Sequence, residues 1–175
     1  YMPITFVLYM IGGFSISAFP LFSGFVSKSM EVSAAAELHL TWIWLLLSLA
    51  SAGTFLHTGL KLPYFTFLGD DCGARPTEPP RNMLVAMGIA AFLCVFIGVY
   101  PDWLYNMLPN EVEYHAYTAT HVVWALQILL FCGLGFFMML KHLGGSPKIS
   151  LDTDWFYRKG AAIFMLFVRH VVVPV

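Results

Sequence analysis

Runs of roughly twenty apolar residues, separated by short polar stretches, recur along this chain and constrain its fold more than any other feature. A helix needs about 20 such residues to cross the hydrocarbon core of a bilayer. Five runs meet or approach that length: Ile4 to Leu38, Trp42 to Leu60, Met83 to Tyr100, Thr118 to Leu140 and Gly160 to Val175. Charged residues make up 11% of the 175, against about a quarter in a soluble domain. So few charges cannot cover a water-facing surface. Lipid offers no partner to backbone N–H and C=O groups, so each run must be helical. The predicted fold is all-α, a polytopic transmembrane helix bundle in an integral membrane protein. The chain starts at Tyr1 beside one apolar run and stops at Val175 inside another. It therefore reads as a fragment of a longer protein, with the last span truncated.

The first run is too long for one straight span. Its 35 residues would extend ~50 Å as helix, against a core of ~30 Å. It contains Pro20, which has no N–H and clashes with the preceding turn, and Gly24 follows closely. An interruption near residues 19–24 is expected, which makes this a discontinuous helix. Broken backbone survives at membrane depth only beside other protein or a wet cavity. The break should therefore face the inside of a larger bundle.

Between the spans lie polar connections. Residues 69–82 (GDDCGARPTEPPRN) form a loop. Lys61, Arg75 and Arg81 lie in or beside it, and Lys141, Lys148, Arg158 and Lys159 lie two connections later. The alternate connections, 37–41 and 101–113, carry no Lys or Arg. By the positive-inside rule, the start of the chain and both basic loops are cytoplasmic.

Lys28 is the most informative residue. It lies just past the expected break, about ten residues or ~15 Å of helix from the end of its run. That is far for a side chain to snorkel to the headgroups. Charges at this depth usually face the bundle interior and pair with something. A buried lysine can also release and recover a proton when its surroundings penalise the charge. Glu31 lies three residues on and can meet Lys28 on one helix face, as a local ion pair or as part of a proton relay. His57, near the cytoplasmic end of the second span, reads either as a proton shuttle or as a structural histidine. Ser48, Ser51, Thr54 and Thr58 form a small polar stripe on that helix, of the kind that packs helices together. His121, Trp124 and Gln127 read as interfacial and packing residues, preceded by His115.

Other chemistry is not supported. The chain has no GxGxxG, P-loop, GxSxG or HExxH pattern, so no catalytic set and no cofactor site is expected. Cys72, Cys94 and Cys132 are far apart and without ligand spacing, so no zinc site or disulfide framework is expected. A net charge of −1 gives no reason to expect nucleic acid as a partner.

The run MPITFVLYMIGGFSISAFPLFSGFVSKSM resembles the discontinuous-helix motif of antiporter-like subunits. These are the homologous proton-translocating subunits of respiratory complex I and of multisubunit Mrp-type sodium/proton antiporters. The likeness rests on Met2–Pro3, Gly12–Gly13, Pro20 in the break and GFxSK at Gly24–Lys28. FLHTGLKLPYFTFLG, PPRNM, HVVWALQILLF and DTDWFYRKG look like D-type subunits of the Mrp-type antiporters. The resemblance implies that Lys28 ends a chain of buried charged residues near the path to the outer side. The acidic residue and lysine of earlier helices would lie upstream of this fragment. It also implies other membrane subunits as partners, protons and Na+ as the ions moved, and a bacterial-type plasma membrane. A proton-pumping subunit of an NADH:quinone or hydrogenase-type complex is the nearest alternative. A structural subunit that transports nothing is an alternative of another class.

Overall fold

The computed structural model describes residues 1–69, 73, 75–110, 113–144 and 153–172. The fold is an all-α membrane helix bundle, with no strand among the described residues. Two units make up the chain, residues 1–144 and 145–175. The first contains α1 (Pro3–Ile16), α2 (Ser23–Glu37), α3 (Thr41–Thr54), α4 (Arg81–Val99), the one-turn α5 (Asp102–Tyr105) and α6 (Ala119–Leu143). The second contains α7 (Asp154–Phe167).

Three helical stretches are long and apolar enough to cross a bilayer: Thr41–Leu68, Arg81–Val99 and Ala119–Leu143. Much of their apolar surface points outward. Leu130 and Phe131 of α6, for example, are 71% and 70% exposed. A soluble monomer rarely presents such continuous apolar faces, whereas lipid tails match them. The protein is a multi-pass membrane protein.

The sequence places the end of the second span near Leu60, but the helix continues to Leu68. It does so through two stretches of wider π-type turns, Phe55–Lys61 and Tyr64–Leu68. Pro63 gives the physical reason. A proline inside a helix removes a donor and pushes the chain away from its preceding turn. The Leu62 N–H reaches back five residues to the His57 carbonyl. The next bond of that pattern would run from Pro63 to Thr58, and Pro63 has no N–H. The Tyr9 hydroxyl of α1 donates to the Thr58 carbonyl instead, at 2.9 Å. Tyr9→Phe should therefore leave that carbonyl unpaired and cost about 1 kcal/mol. The check is a thermal-unfolding midpoint of the purified assembly in detergent. An unchanged midpoint would mean that the bond contributes nothing.

The connection before α4 is tied to the start of α1. The Ile4 N–H donates to Glu78 Oε1 at 2.8 Å. The Thr5 N–H and hydroxyl donate to Glu78 Oε2 at 3.3 Å and 2.6 Å. A carboxylate at this end of a helix meets both unpaired N–H groups and the positive end of the dipole. The Thr5 hydroxyl, followed by the Ile4 and Thr5 N–H groups, holds the Glu78 carboxyl below its ordinary range, and burial opposes them. The Arg75 guanidinium lies 4.8 Å from the centre of the Tyr1 ring. The start of α1 and the connection before α4 thus share one side of the bundle.

The unit from 145 onward holds α7 and a π-type turn at Val168–Val172. The sequence places this span from Gly160, whereas the helix starts at Asp154. Asp154 lies in the first turn and pairs with Arg158 one turn later at 2.9 Å, so the polar start is helical too. Residues 173–175 lie outside the described residues, as do Cys72, Glu111, Lys148 and parts of the loops around them.

Candidate functional site: a helix break closed by a lysine

α1 stops at Ile16 and α2 starts at Ser23. Pro20 lies in the interruption between them. Ala18 and Leu21, on either side of it, have φ of 60° and 76°. Side chains other than glycine rarely adopt this left-handed region, at a cost of order 1–3 kcal/mol each. Packing must therefore hold the break in place. Gly24, expected within the break, belongs to the first turn of α2. Its role is close approach, because a Cβ there would overlap the Ser15 carbonyl oxygen. Gly98 of α4 does the same from the other side, where a Cβ would overlap the Leu21 carbonyl oxygen. The Tyr117 hydroxyl donates to the Gly98 carbonyl, and its ring packs 5.2 Å from Phe25 of α2. Phe25 and Val26 are almost completely buried.

A helix leaves its last four carbonyls without partners inside the helix, and at membrane depth water cannot be assumed to supply them. Each of the four at the end of α1 has a partner. The Gly13 carbonyl accepts from the Ser17 N–H at 3.1 Å and from its hydroxyl at 2.5 Å. The Phe14 carbonyl accepts from the Phe19 N–H, and the Ser15 carbonyl from the Ala18 N–H, both at 3.0 Å. The last carbonyl, that of Ile16, accepts from Lys28 Nζ at 2.6 Å. Lys28 thus reaches back from α2 to the end of α1. Its charge sits at the negative end of the α1 dipole. Across the break, the Ser15 and Ser23 hydroxyls are 2.9 Å apart, and the Gly24 N–H donates to the Ser15 hydroxyl at 3.4 Å.

The other residues named from the sequence are placed differently. Glu31 is exposed, and no ion pair joins it to Lys28 among the described residues. Lys28 is half-buried and lines a cavity of about 250 Å³ between α2, α3 and α6, together with Ser33, Trp44, Ser51, His121 and Trp124. His57 is exposed and lines a different cavity, of about 620 Å³, with Lys61, Cys132 and Phe136. The two cavities follow one another along the α3–α6 pair. The structure does not bring His57 to Lys28.

Sequence reasoning undervalued His121. Its Nε2 lies 3.2 Å from the Ser33 hydroxyl, which in turn lies 3.0 Å from the Tyr114 hydroxyl. Its Nδ1 lies 3.2 Å from the Ala116 carbonyl. The Thr118 hydroxyl caps α6 by accepting from the His121 N–H at 3.2 Å. Threonine three residues before the histidine is a helix-start signal in the sequence, and it fixes where the ring enters the bundle. The pairing with Ser33, 88 residues away, has no local signal at all.

No family model and no solved structure matches the chain. Among curated proteins it is similar to a Na(+)/H(+) antiporter subunit of Alkalihalophilus pseudofirmus, at 32% identity over 89% of this chain and 24% of that protein. It is similar to NADH-ubiquinone oxidoreductase chain 5 of Phytophthora infestans, at 26% identity over 99% of this chain and 31% of that protein. A third relative is NADH-quinone oxidoreductase subunit N of Coxiella burnetii, at 29% identity over 54% of this chain and 20% of that protein. The chain spans less than a third of the length of each of these relatives. Subunits of two different assemblies align with one bundle and its broken helix, and the common ground between them is descent: the chain belongs to the family of antiporter-like membrane subunits.

Proposed function

We propose that the chain is part of a membrane subunit of a multisubunit monovalent cation/proton antiporter, with Na+ as the exchanged cation. Protons cross it along buried polar and charged groups centred on Lys28. The bond from Lys28 to the Ile16 carbonyl carries this reading. A cation at membrane depth is costly unless it is paired or used. Here its partner is a neutral carbonyl. Unlike a carboxylate, a carbonyl leaves no uncompensated charge behind when the lysine releases its proton. Glu31, one turn along α2, offers an acceptor for that proton. His57 serves the other half of the α3–α6 pair, from its own cavity. The motifs from Phe55 onward favour a D-type position in the assembly, beside other membrane subunits and in a bacterial-type plasma membrane. The part described translocates ions and performs no bond chemistry of its own.

The second reading is a proton-pumping subunit of an NADH:quinone oxidoreductase. Its support is the alignment of NADH-ubiquinone oxidoreductase chain 5 over 99% of this chain. Everted vesicles holding the assembled complex separate the two. Antiport predicts that a Na+ pulse collapses an imposed pH gradient with no NADH present. The second reading predicts no response to Na+, and a gradient that forms when NADH and a quinone are added. No response in either arm would contradict both readings and favour a structural subunit.

A further inference from the structure

We propose that His121, held by Ser33 and Tyr114, is the group through which protons pass between the Lys28 cavity and the outer face of the bundle. This rests on the transport role of Lys28 proposed above, and adds the residue that completes the route.

The geometry fixes the chemistry of the ring. The Ala116 carbonyl can only accept, so Nδ1, 3.2 Å away, carries the hydrogen in the neutral imidazole. Nε2 is then the basic nitrogen, and it accepts from the Ser33 hydroxyl at 3.2 Å. The Ser33 oxygen accepts in turn from the Tyr114 hydroxyl at 3.0 Å. The Tyr114 ring stacks on the imidazole, with centres 5.8 Å apart. The ring is thereby oriented with its basic atom toward α2.

That direction leads to Lys28. Ser33 lies five residues beyond Lys28 on α2, a rise of ~7.5 Å. Ser29 lies between them and lines the same cavity of about 250 Å³. A water needs only about 10–15 Å³ of such volume, together with two or more polar partners. The cavity has room for several waters, with Lys28, Ser29, Ser33 and His121 as polar partners. His121 is in the first turn of α6, the end of the bundle opposite the Glu78-capped start of α1.

The step balances as proton transfer alone. Lys28 Nζ loses a proton to cavity water and the proton arrives at Nε2, which makes the ring an imidazolium. The ring then gives a proton to water at the outer end of α6 and returns to neutral. Only N–H and O–H bonds form and break.

The test uses the assembled complex in vesicles, with His121→Gln, Ser33→Ala and Lys28→Ala compared by rate of pH-gradient collapse. Glutamine can still hydrogen-bond to Ser33 but cannot carry the proton. His121→Gln should slow transport roughly tenfold or more with the complex assembled, as loss of a proton-transfer group does. His121→Ala should be partly rescued by added imidazole, which a merely structural ring would not be. If His121→Gln does not assemble, Ser33→Ala carries the same expectation of a several-fold loss. Native rates in assembled His121→Gln, or in Ser33→Ala in its place, with Lys28→Ala inactive would overturn the outer-route proposal and leave the role of Lys28 standing. A native rate in Lys28→Ala would instead remove the reading on which it rests.

Discussion

Lys28→Ala is expected to lower proton transport by the assembled complex roughly a hundredfold or more, the scale on which an essential proton-transfer group acts. Two losses combine in this variant. The first is the titratable group in the cavity that it shares with His121. The second is the donor to the Ile16 carbonyl, bonded at 2.6 Å. An unpaired carbonyl at this depth costs about 1–3 kcal/mol, which lowers stability without preventing assembly. The measurement is gradient collapse per assembled complex, with assembly read by native gel. Transport at the native rate would mean that Lys28 serves only to close the end of α1.

Gly98→Ala is expected to destabilise the bundle by about 2 kcal/mol or more, as forced overpacking against backbone does. The added Cβ would overlap the Leu21 carbonyl oxygen and lie 2.5 Å from backbone atoms of Phe22. These atoms are part of the interruption, and backbone cannot rotate aside as a side chain can. α4 must retreat, and with it the Tyr117 bond to the Gly98 carbonyl and the packing over Phe25. Gly88 lies in the same helix, and a Cβ there meets nothing within 4 Å. Gly88→Ala should therefore be neutral or raise stability by up to about 1 kcal/mol through helix propensity. The pair controls for expression, lipid and composition. The check is the thermal midpoint of each purified variant. Equal midpoints for the two would contradict the close approach of α4 to the break.

The sequence makes the helices legible because lipid leaves one way to satisfy backbone groups, and the apolar runs are long. It makes an interruption around Pro20 legible because the first run exceeds one bilayer thickness. The partners of the break are another matter. Nothing local to Gly98 distinguishes it from Gly88; only the fold lays one of them against Leu21. Tyr9 carries no sign that it answers Pro63, because that need arises from the geometry of a helix 49 residues away. Lys28 is conspicuous as a charge in an apolar run, yet sequence spacing suggests Glu31 as its partner. Local spacing cannot foresee that the chain turns back and offers the Ile16 carbonyl. His121 is hidden for the same reason, since its polar neighbours come from α2 and from the segment before α6.

The most direct test of the central claim, that Lys28 works by giving up and regaining a proton, is the rate of pH-gradient collapse by assembled Lys28→Arg in vesicles. Arginine keeps the cation and can still donate to the Ile16 carbonyl, but it does not release its proton at any working pH. The account predicts an assembled complex with transport close to the Lys28→Ala level. Transport at the native rate would show that a fixed positive charge is all that this position requires, and would contradict the account.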